Sequence, residues 1–511
     1  MRLSPLSFVV LAAAPLAAQS IAFQPRVDFG MAQENGQRCV CADFDHDGNL
    51  DIAATMEGYN VGKVQILFGD GQSDFGTSFD VISYVAWGLA QGDWNGDGWV
   101  DLAATSYGWA QHGVRIWANN QNGGLTYAGS VSTLATPPVD AVAGDFDGDG
   151  VLDLAAISEG GGYAVDWFHG NGNGTFSAFH VVPNTTGLTG RRIYSGRFNA
   201  DAHRDLVAIH QTGAMVLLND NQGTGNFNSS NGITANEAMS SGAVADLDGD
   251  GRDDIVTAGQ NLKVWRGLGN GQFALAQSRS TSTGGLDTVL GDLDGDGRLD
   301  ALVVGLGGVQ LFFGLPGGTF SLPQNVATGV WPKSGVIGDW NGDGWNDLAI
   351  VCQNYAGLDS YLAVHTQLPV AVPATATAYG TGCGTPVFAF QPVATAPPRL
   401  GQTAAADLLQ APTAAVGMAL SFSDQFAGSL PLPAPLAAIG MPGCTLLQSS
   451  DVLGLGTTPL TATTFRFSLA IPNQPALLGA DLFLQGYCFA PGQNPLQLVA
   501  SNGVAWHLGN Q

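Results

Sequence analysis

Short apolar stretches separated by polar turns fill the first two-thirds of this chain, and they recur as a set of four. One stretch ends in a small residue, at Ala42, Gly92, Gly144, Gly196, Ala245, Gly291 and Gly338. After a polar loop comes a second, such as Ile52-Ala53-Ala54-Thr55 or Leu154-Ala155-Ala156-Ile157. A third follows, as in Val64–Phe68, Val114–Trp117, Val165–Phe168 and Val309–Phe313. An Asn/Gly turn then leads into an aromatic-led fourth, for example Gly174-Thr175-Phe176 and Gly318-Thr319-Phe320. Helical periodicity is absent. Four short runs joined by turn chemistry predict a four-stranded antiparallel sheet. Small residues in the first strands fit crowding near a central axis.

The loop between the first and second runs fixes the repeat. It starts at Asp43, Asp93, Asp145, Arg197, Asp246, Asp292 and Asp339, at intervals of 50, 52, 52, 49, 46 and 47 residues. A period of that size marks propeller blades or solenoid repeats. The last repeat has three strands, ending near Tyr361–His365, whereas Phe23–Phe29 precedes the first loop without a sheet of its own. If that N-terminal strand completes the last sheet, the ends are latched and exposed edges stay short. The expected fold is all-β: a seven-bladed β-propeller over 21–368, closed by its N-terminal strand. A Pro/Ala/Thr linker at 369–378 follows, and then a small β-sandwich-like domain at 379–511, suggested by alternating runs such as Thr464–Leu469 and Asp481–Gln485.

In Asp145-Phe146-Asp147-Gly148-Asp149-Gly150-Val151-Leu152-Asp153, oxygen-bearing side chains stand at positions 1, 3, 5 and 9, with Gly at 6. That alternation turns several oxygens inward, as a hard divalent cation requires; calcium takes about six to eight oxygen ligands. Side chains at 1, 3, 5 and 9 and the carbonyl at 7 form the expected ligand sets. These are Asp43, Asp45, Asp47, Asn49 and Asp51; Asp93, Asn95, Asp97, Trp99 and Asp101; and Asp145, Asp147, Asp149, Val151 and Asp153. Further along come Asp246, Asp248, Asp250, Arg252 and Asp254; Asp292, Asp294, Asp296, Arg298 and Asp300; and Asp339, Asn341, Asp343, Trp345 and Asp347. Clustered carboxylates without a cation would repel one another. Oxygen-only donors disfavour zinc and copper. About six structural Ca²⁺ ions are expected. An EF-hand would need an acid at position 12 and flanking helices; here Ala54, Ala104, Ala156, Ala208, Thr257, Val303 and Ile350 stand there, inside predicted strands. The fourth loop departs from the rule, with Arg197 first and Ala202 in place of Gly, leaving Asn199, Asp201 and Asp205. It is expected to be metal-free, with the Arg197 guanidinium paired to Asp201 or Asp205.

Acids outnumber bases, 42 to 17, for a formal charge of −25, which argues against nucleic acid or an anionic membrane as partner. Arg2 followed by the apolar run Leu6–Leu16 and small residues near Ala17, Ala18 and Ser20 reads as a signal peptide over 1–20, hence an exported chain. No later segment has the length and apolarity of a membrane span. Six cysteines suit that route. Cys39 and Cys41 are too close to pair, Cys352 falls on a predicted strand, and one pair among Cys383, Cys444 and Cys488 is plausible.

No nucleophile elbow, phosphate loop or free carboxylate pair is present, and the histidines are scattered, so a non-enzymatic module is expected. Loops at the end opposite the acidic motifs carry Tyr59, Trp87, Tyr107, Trp109, His112, Tyr163, Trp331 and Tyr355. Flat aromatic side chains of this kind are platforms for a sugar or a protein; the alternative is that they pack between blades. Trp94, Trp99, Trp340 and Trp345 fall within the acidic motifs, and Trp99 and Trp345 could cover an ion.

The repeated Gly-Asp-x-[Asp/Asn]-Gly-Asp-Gly-x-x-Asp-[Leu/Ile] and the Gly-x-Phe turn, over about residues 22–368, resemble the FG-GAP/VCBS repeats of integrin alpha-subunit propellers and secreted bacterial proteins. The resemblance implies a seven-bladed propeller with calcium on one face and, in integrins, partner binding on the other; some similar calcium propellers are lectins. The C-terminal part, with Tyr379–Cys383 and Pro442–Cys444, resembles modules on secreted planctomycete-like bacterial proteins, which implies a Cys383–Cys444 bridge. The resulting expectation is a monomeric binding or adhesion module for an extracellular protein or glycan. A polysaccharide lyase on a calcium propeller and a structural envelope protein are the alternatives.

Overall fold

The computed structural model describes residues 21–510, apart from 33–34, 59–61, 84, 108–111, 134–136, 161–163, 184, 186–187, 202, 221–225, 230–231, 235–236, 354–359, 369–373, 422–425, 428–429, 438–440, 449–451, 456, 473–476 and 478–479. The proposed signal peptide therefore lies outside the described residues, as does much of the linker. The chain divides into two compact units, Met1–Leu368 and Pro369–Gln511. The described residues are all-β, with no α-helix among them.

In the first unit, six sheets contain four antiparallel strands in simple neighbour order, and the fourth sheet adds to its four a short fifth strand, Ile233–Thr234, paired with Gly213–Asn219. The first strands are Gly36–Ala42, Val85–Gly92, Pro138–Gly144, Gly190–Gly196, Met239–Ala245, Asp287–Gly291 and Pro332–Gly338. Second strands begin at the last Asp of each motif: Asp51–Met56, Asp101–Tyr107, Asp153–Ser158, Asp205–His210, Asp254–Gly259, Asp300–Gly305 and Asp347–Gln353. The described second-strand side chains are almost all buried, so these strands read as unbroken apolar runs. Sheet seven takes its fourth strand from the N-terminus, Val27–Gly30, which pairs antiparallel with Ser360–His365 in the register Val27 to Val364.

Sheet six departs from the sequence expectation. Thr319–Phe320 pairs with Gly314–Leu315 in a separate hairpin, and the fourth strand is Gln324–Val326. Pro323, between the two, lacks the N–H that a continuous ladder would use.

Packing between sheets follows from the alternation. Each buried cluster draws on two sheets consecutive in sequence: Phe44 and Ile66 of sheet one with Leu89 and Trp117 of sheet two, or Leu293 and Leu302 of sheet six with Leu348 and Ile350 of sheet seven. One cluster joins Val336, Trp340 and Val351 of sheet seven to Cys39, Ile52 and Met56 of sheet one. Contacts also skip sheets. Arg38 of sheet one pairs with Asp287 of sheet six at 2.7 Å, and Arg192 of sheet four donates to the Leu286 carbonyl at the entry to sheet six at 3.3 Å.

The second unit holds a five-stranded and a four-stranded sheet. They share one buried cluster, with Phe390, Leu408 and Phe467 from one and Met418, Leu484 and Trp506 from the other. Cys383 and Cys444 are joined in a disulfide, while Cys39, Cys41, Cys352 and Cys488 are free thiols.

Candidate metal-binding loops

Each motif is a tight loop built by its own side chains. In six of them the first Asp accepts the N–H of the Gly at position 6, at 2.8–3.0 Å. That Gly has a φ between +82° and +92°, a left-handed conformation in which a Cβ is strained. Position 3 accepts the N–H of position 5, and position 5 that of position 7. At position 3 these bonds use Oδ1, whereas at position 1 both oxygens accept in five of the six loops. Each carboxylate oxygen has more than one lone pair, so acceptor capacity remains for a ligand. Oxygens of Asp43, Asp45 and Asp51 lie within 4.8 Å of one another, as do those of Asp145, Asp147 and Asp153, of Asp246, Asp248 and Asp250, and of Asp292, Asp294 and Asp300. In the second and seventh loops, position 3 is an amide, Asn95 or Asn341, whose oxygen accepts the N–H of Asp97 or Asp343 at 2.9 Å.

Whether a hard cation fits can be read from unsatisfied oxygens. Oδ1 of Asp43 and Oδ2 of Asp294 are buried with no hydrogen-bond partner among the described residues. Leaving such atoms unpaired is costly, and a cation supplies what no donor does. Burial pushes the Asp294 carboxyl up to about 6, with the neighbouring Asp296 and Asp292 charges adding to it. Asp45 is raised by burial and by Asp47 and Asp43. The donor set, its convergence and these orphaned atoms fit an oxygen-liganded divalent cation.

Position 9 has a second task that the motif spacing does not reveal. Asp51, Asp101, Asp153, Asp205, Asp254, Asp300 and Asp347 are all buried. Each uses Oδ2 to accept the N–H of motif position 2, as with Phe146 to Asp153 at 2.8 Å. Each uses Oδ1 to accept an N–H at or just beyond the end of the third strand, as with Gly170 to Asp153 at 2.8 Å. This carboxylate is therefore a staple between loop and sheet, present even in the fourth repeat. Burial pushes Asp51, Asp300 and Asp347 up to about 7 and Asp101, Asp153 and Asp205 up to about 6, against the lowering effect of those N–H donors.

Four basic groups pair with loop carboxylates, one of them Arg252 with Asp250 of its own loop at 3.2 Å. His169, at the end of a third strand, places Nδ1 2.7 Å from Asp147 and 3.5 Å from Asp153. Arg266, at the equivalent place in sheet five, pairs with Asp248 at 3.3 Å and with Asp254. Arg298 turns its guanidinium onto Asp296 of its own loop. His169 and Arg266 were legible only as polar residues immediately before the N–H donor to position 9. In the fourth loop the expected pairing does not occur: Arg197 makes no ion pair with Asp201 or Asp205 among the described residues. Its side chain is exposed and its backbone N–H donates to Asp253 at 2.7 Å.

The motif tryptophans are corrected in part. Trp94 and Trp340 are about 1% exposed and belong to the packing between sheets, because position 2 points away from the loop interior. Trp99 stacks on His46 of the neighbouring loop, with ring centroids 3.8 Å apart. Trp345 is buried. Of the aromatic platform, Tyr59, Trp109, Tyr163 and Tyr355 lie outside the described residues, and Tyr107 is described only as a strand residue. Trp331 is 39% exposed, and Trp87 lines a cavity of about 510 Å³ with Gln37, Arg191 and Arg192. The two are not brought together in that cavity.

The family model described as FG-GAP-like repeat matches residues 93–156, 145–208, 197–257, 250–303 and 292–350. No curated protein matches the chain. Among solved structures, the crystal structures of BBS1N in complex with ARL6DN, one soaked with lead and one with mercury, match at 12% identity and a TM-score of 0.44. They cover 66% and 67% of this chain and 96% of theirs. Likeness at that level carries no argument about partner or activity.

Proposed function

This chain belongs to the FG-GAP-like repeat family, and from that premise we propose that it is an exported, non-enzymatic binding module built on calcium. In this reading the seven sheets form one closed propeller, supported by the cluster joining sheets seven and one and by the pair between Arg38 and Asp287. Calcium occupies the first, second, third, fifth, sixth and seventh loops, and the fourth is metal-free. The protein is a monomer, and among the described residues no helix is long and apolar enough to cross a membrane. Its partner is an extracellular protein or glycan.

One observation carries the reading. Every first strand runs into its acidic loop, so the loops share one end of the sheets and the other end is left to other chemistry. The bound ion would neutralise the loop carboxylates and hold each turn. Chelator should then lower the melting temperature of the mature protein by many degrees, and a glycan array with added Ca²⁺, with a pull-down beside it, should return a ligand. A melt indifferent to chelator refutes the calcium; a blank array together with a blank pull-down refutes the binding role.

A further inference from the structure

We propose that the cavity at the end of the first strands remote from the acidic loops is a site for a carboxylate-bearing saccharide. The inference rests on the binding role above and names its ligand. The cavity measures about 510 Å³, and its walls come from six successive sheets. That volume lies within the roughly 300–1,000 Å³ of small-ligand pockets.

The lining chemistry selects the class. Gln37, Trp87 and Ser240 come from near the starts of the first strands of sheets one, two and five, and Arg191 and Arg192 from that of sheet four. In a chain with net charge −25, Arg191 and Arg192 place two adjacent guanidiniums at this cavity, against Glu159 in its wall and Glu57, which accepts the Gln37 amide at 3.0 Å. Both Nη atoms of Arg192 are anchored on main-chain carbonyls, Nη1 on Arg191 and Nη2 on Leu286, each at 3.3 Å, which fixes the guanidinium and leaves a second N–H on each. A fixed guanidinium with an unused donor is suited to a planar carboxylate. Glu159, also in the wall, reaches Arg191 only at 3.9 Å, with both side chains more than two-fifths exposed, so an incoming carboxylate competes with a weak pair. Trp87 in the same wall brings an aromatic side chain, and Gln37 and Ser240 bring amide and hydroxyl groups. Carboxylate, apolar ring face and hydroxyls together describe an acidic sugar. A peptide terminus shares only the first of these.

Isothermal titration of the full mature chain in Ca²⁺ with a galacturonate trimer tests this. The neutral galactose trimer, the trimer methyl ester and a short peptide with a free C-terminal carboxylate serve as comparisons. The acidic trimer should bind, the neutral trimer and ester at least tenfold more weakly, and Arg192→Gln should lose at least tenfold while Arg192→Lys loses less. Trp87→Phe should weaken binding only modestly, and the melting temperature of each variant reports whether it is folded. Equal binding of neutral and acidic trimers, tighter binding of the peptide, or no effect of Arg191→Gln and Arg192→Gln in folded protein overturns the proposal. If the acidic trimer fails while the array finds a neutral glycan or the pull-down a protein, this inference falls and the binding role stands. If all are blank, both fall.

Discussion

Arg38 and Asp287 allow the closure of the sheets to be tested by energetics. Arg38 belongs to sheet one and Asp287 to sheet six, and their side chains are 16% and 3% exposed. Burial alone would lower the Arg38 pKa, but Asp287 and Asp140, with smaller contributions from Tyr194 and Cys39, hold it above the ordinary range. Breaking a buried pair by removing one partner costs about 3–5 kcal/mol, because the other charge is stranded. Asp287 keeps two donors, the Ser334 hydroxyl at 2.6 Å and the Gly335 N–H at 3.3 Å, so Arg38→Met should cost about 3 kcal/mol, the low end. Adding Asp287→Asn removes the stranded charge and keeps an oxygen for one of those donors, so the double variant should recover more than half the loss. Urea unfolding in Ca²⁺, followed by tryptophan fluorescence, measures this; Trp94 and Trp340 are buried reporters. The loss should barely change between low and high salt, because a buried pair is poorly screened. A cost below about 1 kcal/mol for Arg38→Met, or strict additivity in the double variant, means that the two side chains do not meet.

Three further outcomes are expected. In chelator, Asp51, Asp300 and Asp347 near 7 and Asp101, Asp153 and Asp205 near 6 lie above the ordinary carboxylate value, so the folded chain holds the extra protons. Their contribution is complete below about pH 4 and is lost as pH rises through 6 to 7. The urea midpoint should therefore fall from pH 5 to pH 8 in chelator, and Ca²⁺ should flatten or reverse that slope; a midpoint that rises in chelator contradicts the burial argument. Asp147→Asn should remove one Ca²⁺ per chain in elemental analysis, whereas Asp201→Asn should leave the count unchanged; equal counts for both would place metal in the fourth loop or none in the third. Cys383→Ser opens a bridge between residues 61 apart, and the second unit alone should lose about 4 kcal/mol. A differential effect on the melting of the first unit is the result that does not fit.

Much of the first unit was legible because its turns are spelled by residue type. Gly at position 6 is required by a left-handed φ, and each second strand begins at an Asp whose spacing is fixed. The position of the N-terminal strand was legible from arithmetic alone, since one sheet lacked a strand and one strand lacked a sheet. What stayed hidden depends on tertiary register. Nothing local tells that position 9 reaches the end of the third strand, because that donor lies anywhere from 13 to 20 residues on. Nor does the motif say that Trp94 turns into the core while Trp99, five residues later, stacks on His46. Arg266 and His169 enter the loops from a strand whose alignment with the motif is set by pairing, not by sequence distance. The cavity combines residues from Gln37 to Leu286, a juxtaposition that only the folded chain creates.

The pairing of Val27 with Val364 also orders events during synthesis. The strand that completes sheet seven is made before its partner, which follows roughly 340 residues later, about 17–70 s at ~5–20 residues per second. Until then Val27–Gly30 has no ladder, and the apolar flanks of sheets one and seven have no cover. The nascent molecule must therefore wait with an open seam, and any chaperone that meets it has that seam to guard.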